Sequence, residues 1–311
     1  MKFACVFPGQ GSQSVGMMAE LAENFPVVTE LFARASEVLG YDLWQVVQQG
    51  PAEELNKTEV TQPAMLVSGV ATYEILKDKL GQAPLIMAGH SLGEYAALVC
   101  AGSLVFEDAV KLVAERGRLM QQAVPEGVGA MAAIIGMDDA AIKDICKTAS
   151  DDNFAVQAVN FNSPGQVVIA GNIQAVETAM AMARDAGAKR ALKLPVSVPS
   201  HSALMADAAK LLQAYLKDVK LSKPGIPVIQ NVAAKAYDKA ADIRKNLVRQ
   251  LHNPVLWVDS VNNLLAEGVE ATVECGPGKV LVSLNKRISK DVPHYTVNDV
   301  ASLNTVLEEL A

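Results

Sequence analysis

The chain has 311 residues, half of them hydrophobic and a fifth charged, a composition that fits a folded globular protein and excludes a disordered one. Its formal charge of −7 argues against a general nucleic-acid binder, which needs a basic surface. At this length one large domain with an insertion, or two domains, is expected.

No uninterrupted apolar stretch is long enough to span a bilayer, so no membrane association is expected. The apolar run in Met1–Gln10 is too short for a signal peptide and has no small-residue cleavage site. Cys5, Cys100, Cys146 and Cys275 are scattered without C-x-x-C or metal-ligand spacing. Buried reduced thiols, no metal, no cofactor and a cytoplasmic location are the corresponding expectations.

Lys2–Phe7 reads as a buried strand running into Pro8-Gly9-Gln10-Gly11-Ser12-Gln13. This loop lacks the Lys-Ser/Thr of a P-loop and the full G-x-G-x-x-G spacing. It is read as a loop that brings backbone N–H groups to a site at the strand's C-terminal edge. Helical patterns fill Pro26–Leu39, and Pro63 fits the first turn of a helix running to about Leu80.

Leu85–Ala88 is a short apolar run, followed by Gly89-His90-Ser91-Leu92-Gly93 and an alanine-rich helical segment, Glu94–Ala101. Strand, G-x-S-x-G and helix in that order form the context of a nucleophile elbow. Only glycine fits on either side of so sharp a turn, because a Cβ would meet the neighbouring backbone. The turn also sets Ser91 at a helix start, where free N–H groups and the positive dipole end can stabilise an oxyanion.

Phe106–Ala123 reads as an amphipathic helix with Val110, Val113, Gly117 and Met120 on its apolar stripe. Arg116 lies on or beside that stripe. Its stem can pack while its head reaches water, or its guanidinium can enter a cleft and capture a carboxylate through two parallel bonds. Spacing alone does not choose between these.

From Gly127 the pattern changes. Strands are expected at Ala130–Ile135, Ala155–Asn160, Gln166–Ala170 and Arg190–Leu194, with helices at Asp138–Thr148 and Ile173–Ala186 and a turn at Asn162–Gly165. This β-α-β-β-α-β order is ferredoxin-like. It is read as a subdomain of residues 127–197 inserted into an α/β, hydrolase-like core of residues 1–126 and 198–311. Beyond it come a helix at about Ala203–Val219, a strand at Ile226–Asn231, a helix at Ala241–Leu251 and another from near Val258. A strand at Ala271–Cys275, a helix to Ile288, a strand near Tyr295 and a C-terminal helix close the chain. Such alternation implies a largely parallel sheet covered on both faces.

A serine hydroxyl needs a base within hydrogen-bond reach. His90 adjoins Ser91, but neighbours in a tight turn point their side chains apart. His294 has nothing around it that marks a site, and His252, before Asn253-Pro254, reads as a helix cap. His201 sits on a proline-rich loop that re-enters the α/β body, so it is the favoured base. No acid stands out to orient it: Glu126, Asp138 and Asp185 lie between serine and histidine without convincing positions, and Asp207 falls within a helical pattern.

Together these segments resemble the malonyl-CoA:acyl-carrier-protein transacylases of bacterial type II fatty-acid synthesis. The resemblance extends over nearly the whole chain. Its motifs are F-P-G-Q-G-S-Q at 7–13, T-Q-P-A at 61–64, G-H-S-L-G-E-Y at 89–95, R-G at 116–117 and N-F-N-S-P-G-Q at 160–166. They continue with P-S-H-S at 199–202, Q-L-H-N-P-V-L-W at 250–257 and E-C-G-P-G-K at 274–279.

The resemblance implies that Ser91, with His201 as base, takes a malonyl group from malonyl-CoA and passes it to the phosphopantetheine thiol of acyl carrier protein. It implies oxyanion contacts from the backbone N–H groups of Gln10 and Leu92 and pairing of Arg116 with the malonyl carboxylate. The backbone carbonyl of Gln250 would orient the histidine, and Gln62 would line the site. Carrier protein is acidic, so Lys189, Arg190, Lys286 and Arg287 are candidates for a docking patch, with solvated surface charge as the alternative. Ser200, before the histidine, leaves methylmalonyl open as a substrate. The rival functions are a serine esterase or thioesterase and a non-catalytic acyl-binding scaffold.

Overall fold

The computed structural model describes residues 1–125, 127–196 and 198–310. Its strands are β1 (Phe3–Phe7), β2 (Ile86–Gly89), β3 (Gly129–Ile135), β4 (Val156–Ser163), β5 (Gln166–Asn172), β6 (Arg190–Lys193), β7 (Val228–Gln230), β8 (Lys235–Ala236), β9 (Ala271–Cys275) and β10 (His294–Val297).

The larger sheet runs β10-β9-β1-β2-β7-β8. Every pairing from β10 to β7 is parallel, and only β8 is antiparallel. The fold is therefore α/β with a mostly parallel sheet. All five residues of β1, Phe-Ala-Cys-Val-Phe, are buried, because helices cover both faces of such a sheet. Successive side chains alternate between faces. Phe3, Cys5 and Phe7 join the core that includes Leu66, Val70 and Tyr73 of the helix Thr58–Leu80. Ala4 and Val6 meet Trp257, Val261 and Leu264 of the helix Trp257–Ala266 on the other side.

The second sheet runs β4-β5-β3-β6, with every pairing antiparallel. One face carries Ala130, Ala132 and Ile134 against the helices Asp139–Thr148 and Ile173–Asp185. The other carries Met131 and Ala133, with Leu194 and Val196 packed nearby. The register of β4 shifts at Ala158/Asn160 and again at Phe161/Ser163. Along this edge Phe161 N–H donates to the Val255 carbonyl at 3.0 Å, and Val255 N–H donates to Val159 at 2.8 Å. The second sheet is thereby tied to the segment leading into Trp257, beside the end of β2.

Several expected boundaries move. Pro63 is not in the first turn: the helix begins at Thr58, and Pro63 lies inside it. Thr61 N–H donates to Lys57 at 2.8 Å, which closes the first turn without help from residue 63. A Cβ at Gly117 would stand 2.6 Å from Glu59 Cα, so close packing against the helix Phe106–Ala123 holds the added turn. β4 extends through Ser163, leaving Pro164-Gly165 as the turn. The helix expected at Ala203–Val219 opens as a 3-10 turn, Ala203–Met205, and is α-helical only over Ala206–Tyr215. The short helices Leu43–Gln49 and Ala52–Leu55 carry too few residues for a periodic signal and were not expected. Glu126, and the limits at 126, 197 and 311 of the expected division, lie outside the described residues.

Candidate active site

Ser91 follows β2 directly and precedes the helix Gly93–Cys100. Its backbone has φ 50°, a left-handed conformation that a non-glycine residue holds only when its surroundings enforce it. The flanking glycines allow this. A Cβ at Gly89 would fall 1.9 Å from the Gly93 carbonyl carbon, and one at Gly93 would fall 2.0 Å from the Phe7 carbonyl oxygen. Asn231, just past β7, clamps the turn: its Oδ1 accepts from Ser91 N–H at 2.7 Å, and its Nδ2 donates to the Gly89 carbonyl at 2.6 Å.

The serine hydroxyl lies 2.8 Å from Nε2 of His201. Nδ1 of the same ring lies 2.6 Å from the Gln250 carbonyl oxygen. A carbonyl only accepts, so the proton sits on Nδ1, and the Nε2 lone pair is left to accept from Ser91 Oγ–H. Burial, and secondarily the Arg116 charge, holds the His201 imidazolium down to a pKa of about 3, so the ring is neutral across the ordinary pH range.

Arg116 is buried, at 1% exposure, and aims into the cleft. Nη1 donates to Gln62 Oε1 at 2.7 Å, and Nη2 donates to Gln250 Oε1 at 3.0 Å and to Ser91 Oγ at 3.2 Å. These acceptors are all neutral, and Nε has no partner among the described residues. A buried cation held by neutral groups beside a hydroxyl has the chemistry to accept an anionic partner.

The cleft has a volume of about 430 Å³, and Gln10, Leu92, Arg116, Met131, Asn160 and Leu194 are among its lining. It lies between the two sheets. A Cβ at Gly9 would stand 2.5 Å from the His90 carbonyl oxygen, so the first loop lies directly on the elbow. Gln10 and Leu92 therefore face the cleft from adjoining backbones.

Gln62 was expected to line the site and does not. It is fully buried behind Arg116, with its Nε2 on Met120 Sδ at 3.5 Å. The reason is geometric: the helix Thr58–Leu80 packs along the helix that carries Arg116, which directs the amide onto the guanidinium.

The other histidines face elsewhere. Nε2 of His90 lies 2.8 Å from Asn162 Oδ1, and its ring is tilted on Trp257. His294 bridges Thr272 Oγ1 and the Ser289 carbonyl, and His252 follows the end of the helix Ala240–Gln250. Among the carboxylates weighed from sequence, Asp138 caps a helix by accepting from Ala140 N–H, and Asp207 pairs with Lys210 on the surface. Neither approaches the imidazole.

Sequence reasoning missed Glu94. It is fully buried and accepts from Gln230 Nε2 at 3.1 Å, Asn231 N–H at 2.8 Å and Gln250 Nε2 at 2.9 Å. Burial raises its carboxyl pKa to about 7 against those hydrogen bonds. The available signal was a lone acid in the otherwise apolar run Gly93–Cys100.

Of the four basic residues, Arg190 pairs with Ile135, which also faces Gln166, and Arg287 Nη1 donates to Gln166 Oε1 at 2.9 Å. Lys189 packs near Gly136. Lys189, Arg190, Lys286 and Arg287 are all exposed. Arg190 and its strand neighbours occupy the end of the second sheet opposite Met131 and Leu194.

Comparison with known proteins gives the class first. The acyl transferase domain family matches residues 4–305, so this is an acyltransferase fold over nearly its whole length. The Haemophilus influenzae malonyl CoA-acyl carrier protein transacylase is 59% identical over 310 residues, covering 99% of each chain. The malonyl CoA-acyl carrier protein transacylase structure from Coxiella burnetii matches with a TM-score of 0.98 at 46% identity, covering 100% of this chain and 98% of that one. A malonyl-transacylase solved in complex with a type II PKS holo acyl-carrier protein gives 0.97 at 55% identity, covering 99% and 100%. The chain belongs to the malonyl CoA-acyl carrier protein transacylase family.

Proposed function

We propose that this enzyme transfers a malonyl group from malonyl-CoA to the phosphopantetheine thiol of acyl carrier protein through a malonyl ester on Ser91. Ser91 Oγ attacks the thioester carbonyl as its proton passes to His201 Nε2. The oxyanion is met by the N–H groups of Gln10 and Leu92. The carbon–sulfur bond then breaks, and CoA leaves with the proton from His201. In the second half the carrier thiol gives its proton to His201 and attacks the ester, and Ser91 regains a proton as the C–O bond breaks. The Gln250 carbonyl stabilises the transient imidazolium through Nδ1–H, in place of a carboxylate.

The observation that carries the malonyl assignment is Arg116, whose buried guanidinium donates to Ser91 Oγ at 3.2 Å and otherwise holds only neutral acceptors. An acyl group ending in a carboxylate satisfies it; an acetyl group does not. Mass spectrometry after mixing with malonyl-CoA and then carrier protein tests the reading. A malonyl adduct on Ser91 that moves to carrier protein is the expected result. An adduct lost to water would make this a hydrolase, and no adduct a scaffold.

Residues 127–197 act as an inserted ferredoxin-like subdomain within a hydrolase-like core of residues 1–126 and 198–311. The β-α-β-β-α-β order of its elements and its antiparallel strand order support this reading. Carrier protein docks on Lys189, Arg190, Lys286 and Arg287, supported by the proximity of Arg190 and Arg287 around Gln166. No helix among the described residues is long and apolar enough to cross a membrane. A cytoplasmic location is proposed on the likeness to the bacterial malonyl CoA-acyl carrier protein transacylases.

A further inference from the structure

The proposed mechanism uses Arg116 and the Gln250 backbone but leaves the Gln250 side chain and Glu94 without a role. The Gln250 amide stands between a buried acid and a buried guanidinium. Its Nε2 donates to Glu94 Oε2 at 2.9 Å, and its Oε1 accepts from Arg116 Nη2 at 3.0 Å. Nε2 also donates to the Ser91 carbonyl at 3.0 Å. An amide has one donor end and one acceptor end, so a carboxylate on one side and a guanidinium on the other permit a single orientation. Reversing it would set NH₂ against the guanidinium and a carbonyl against the carboxylate.

Glu94 is itself held. Its position in the first turn of the helix Gly93–Cys100 places the carboxylate near the positive end of the dipole. Gln230 Nε2 and Asn231 N–H donate to it from the other side. Asn231 is the residue that clamps Gly89 and Ser91. The carboxylate thus anchors both the turn that carries the candidate nucleophile and the amide that holds the guanidinium.

We infer that Glu94 is a positioning residue for acyl-group selection: its carboxylate orients the Gln250 amide, which in turn holds Arg116 where it meets the carboxylate of the incoming acyl group. The inference rests on the proposed pairing of Arg116 with malonyl. Glu94 acts through Gln250 and touches no substrate.

Glu94→Gln keeps the size and removes the charge. The experiment measures Ser91 acylation by malonyl-CoA and by acetyl-CoA for the wild type, Glu94→Gln, Gln250→Leu and the double variant, with Arg116→Ala as reference. A role in folding alone would lower both substrates in proportion. The inference expects the malonyl-to-acetyl ratio to fall about tenfold in Glu94→Gln, the scale of one charge-assisted hydrogen bond, and the double variant to lose no more selectivity than Gln250→Leu. Glu94→Asp, which draws the carboxylate back from the amide, replaces Glu94→Gln if that variant does not fold, with a smaller fall expected. An unchanged or increased ratio, or additive losses in the double variant, overturns the inference if Arg116→Ala abolishes selectivity. If Arg116→Ala also leaves the ratio unchanged, the malonyl-pairing reading itself fails.

Discussion

Replacing Gly9 by alanine separates the oxyanion contact from substrate binding. The new Cβ would stand 2.5 Å from the His90 carbonyl oxygen, and that oxygen accepts from Gly93 N–H at 2.9 Å, so the elbow cannot yield without opening its own turn. The first loop must retreat instead, by roughly 0.5–1 Å to reach van der Waals separation, and it carries Gln10 N–H with it. An oxyanion donor acts on charge that develops only in the transition state, and losing one costs on the order of 10²–10³-fold in kcat. A partial retreat should cost roughly 10–10²-fold. Arg116 sits on a different element, the helix Phe106–Ala123, so the pairing proposed for it with the acyl carboxylate is untouched. The expected result in steady-state transfer assays is therefore a fall in kcat with little change in KM for malonyl-CoA. A variant with kcat within threefold of wild type, or one that loses only KM, would refute the Gln10 contact.

His201 makes a pH prediction. Its folded pKa of about 3 lies below the ordinary imidazole value of about 6.5, so between these limits the unfolded chain binds more protons and stability falls as pH falls. Relative to His201→Gln, the wild type should lose roughly 2 kcal/mol between pH 7 and pH 5, read by urea unfolding; a difference independent of pH would contradict the buried neutral ring. Gly93→Ala places a Cβ 2.0 Å from the Phe7 carbonyl oxygen and should destabilise the fold by about 3 kcal/mol or more; a thermal transition close to that of wild type would show that β1 and the elbow can separate. Reversing Lys286 and Arg287 to Glu should raise KM for carrier protein and flatten its salt dependence while leaving malonyl-enzyme formation intact. Unaltered carrier kinetics would remove those residues from the docking surface.

Local chemistry made much of this protein legible before its structure. Apolar runs marked β1 and β2, because a strand covered on both faces carries few polar side chains along its length. The glycines at 89 and 93 announced a turn that admits no Cβ, and alternation of strands and helices implied the parallel sheet. Element edges were harder to place: the helix Thr58–Leu80 starts ahead of Pro63 because Gly117, far along the chain, packs onto its first turn.

What only the tertiary structure decided was where buried polar groups find their partners. The stripe around Arg116 was equally consistent with a snorkelling side chain until the fold set Gln62, Gln250 and Ser91 around its guanidinium. Glu94 reads as a helix residue in an apolar segment, yet its hydrogen-bond partners lie 136 to 156 positions away. Periodicity reports which face of an element is buried, since burial repeats with the backbone. It carries no record of which distant donor arrives there, and a buried charge must be met by one. The serine turn and the parallel sheet are thus properties of the sequence itself, while the orientation of the groups around Ser91 belongs to the folded chain.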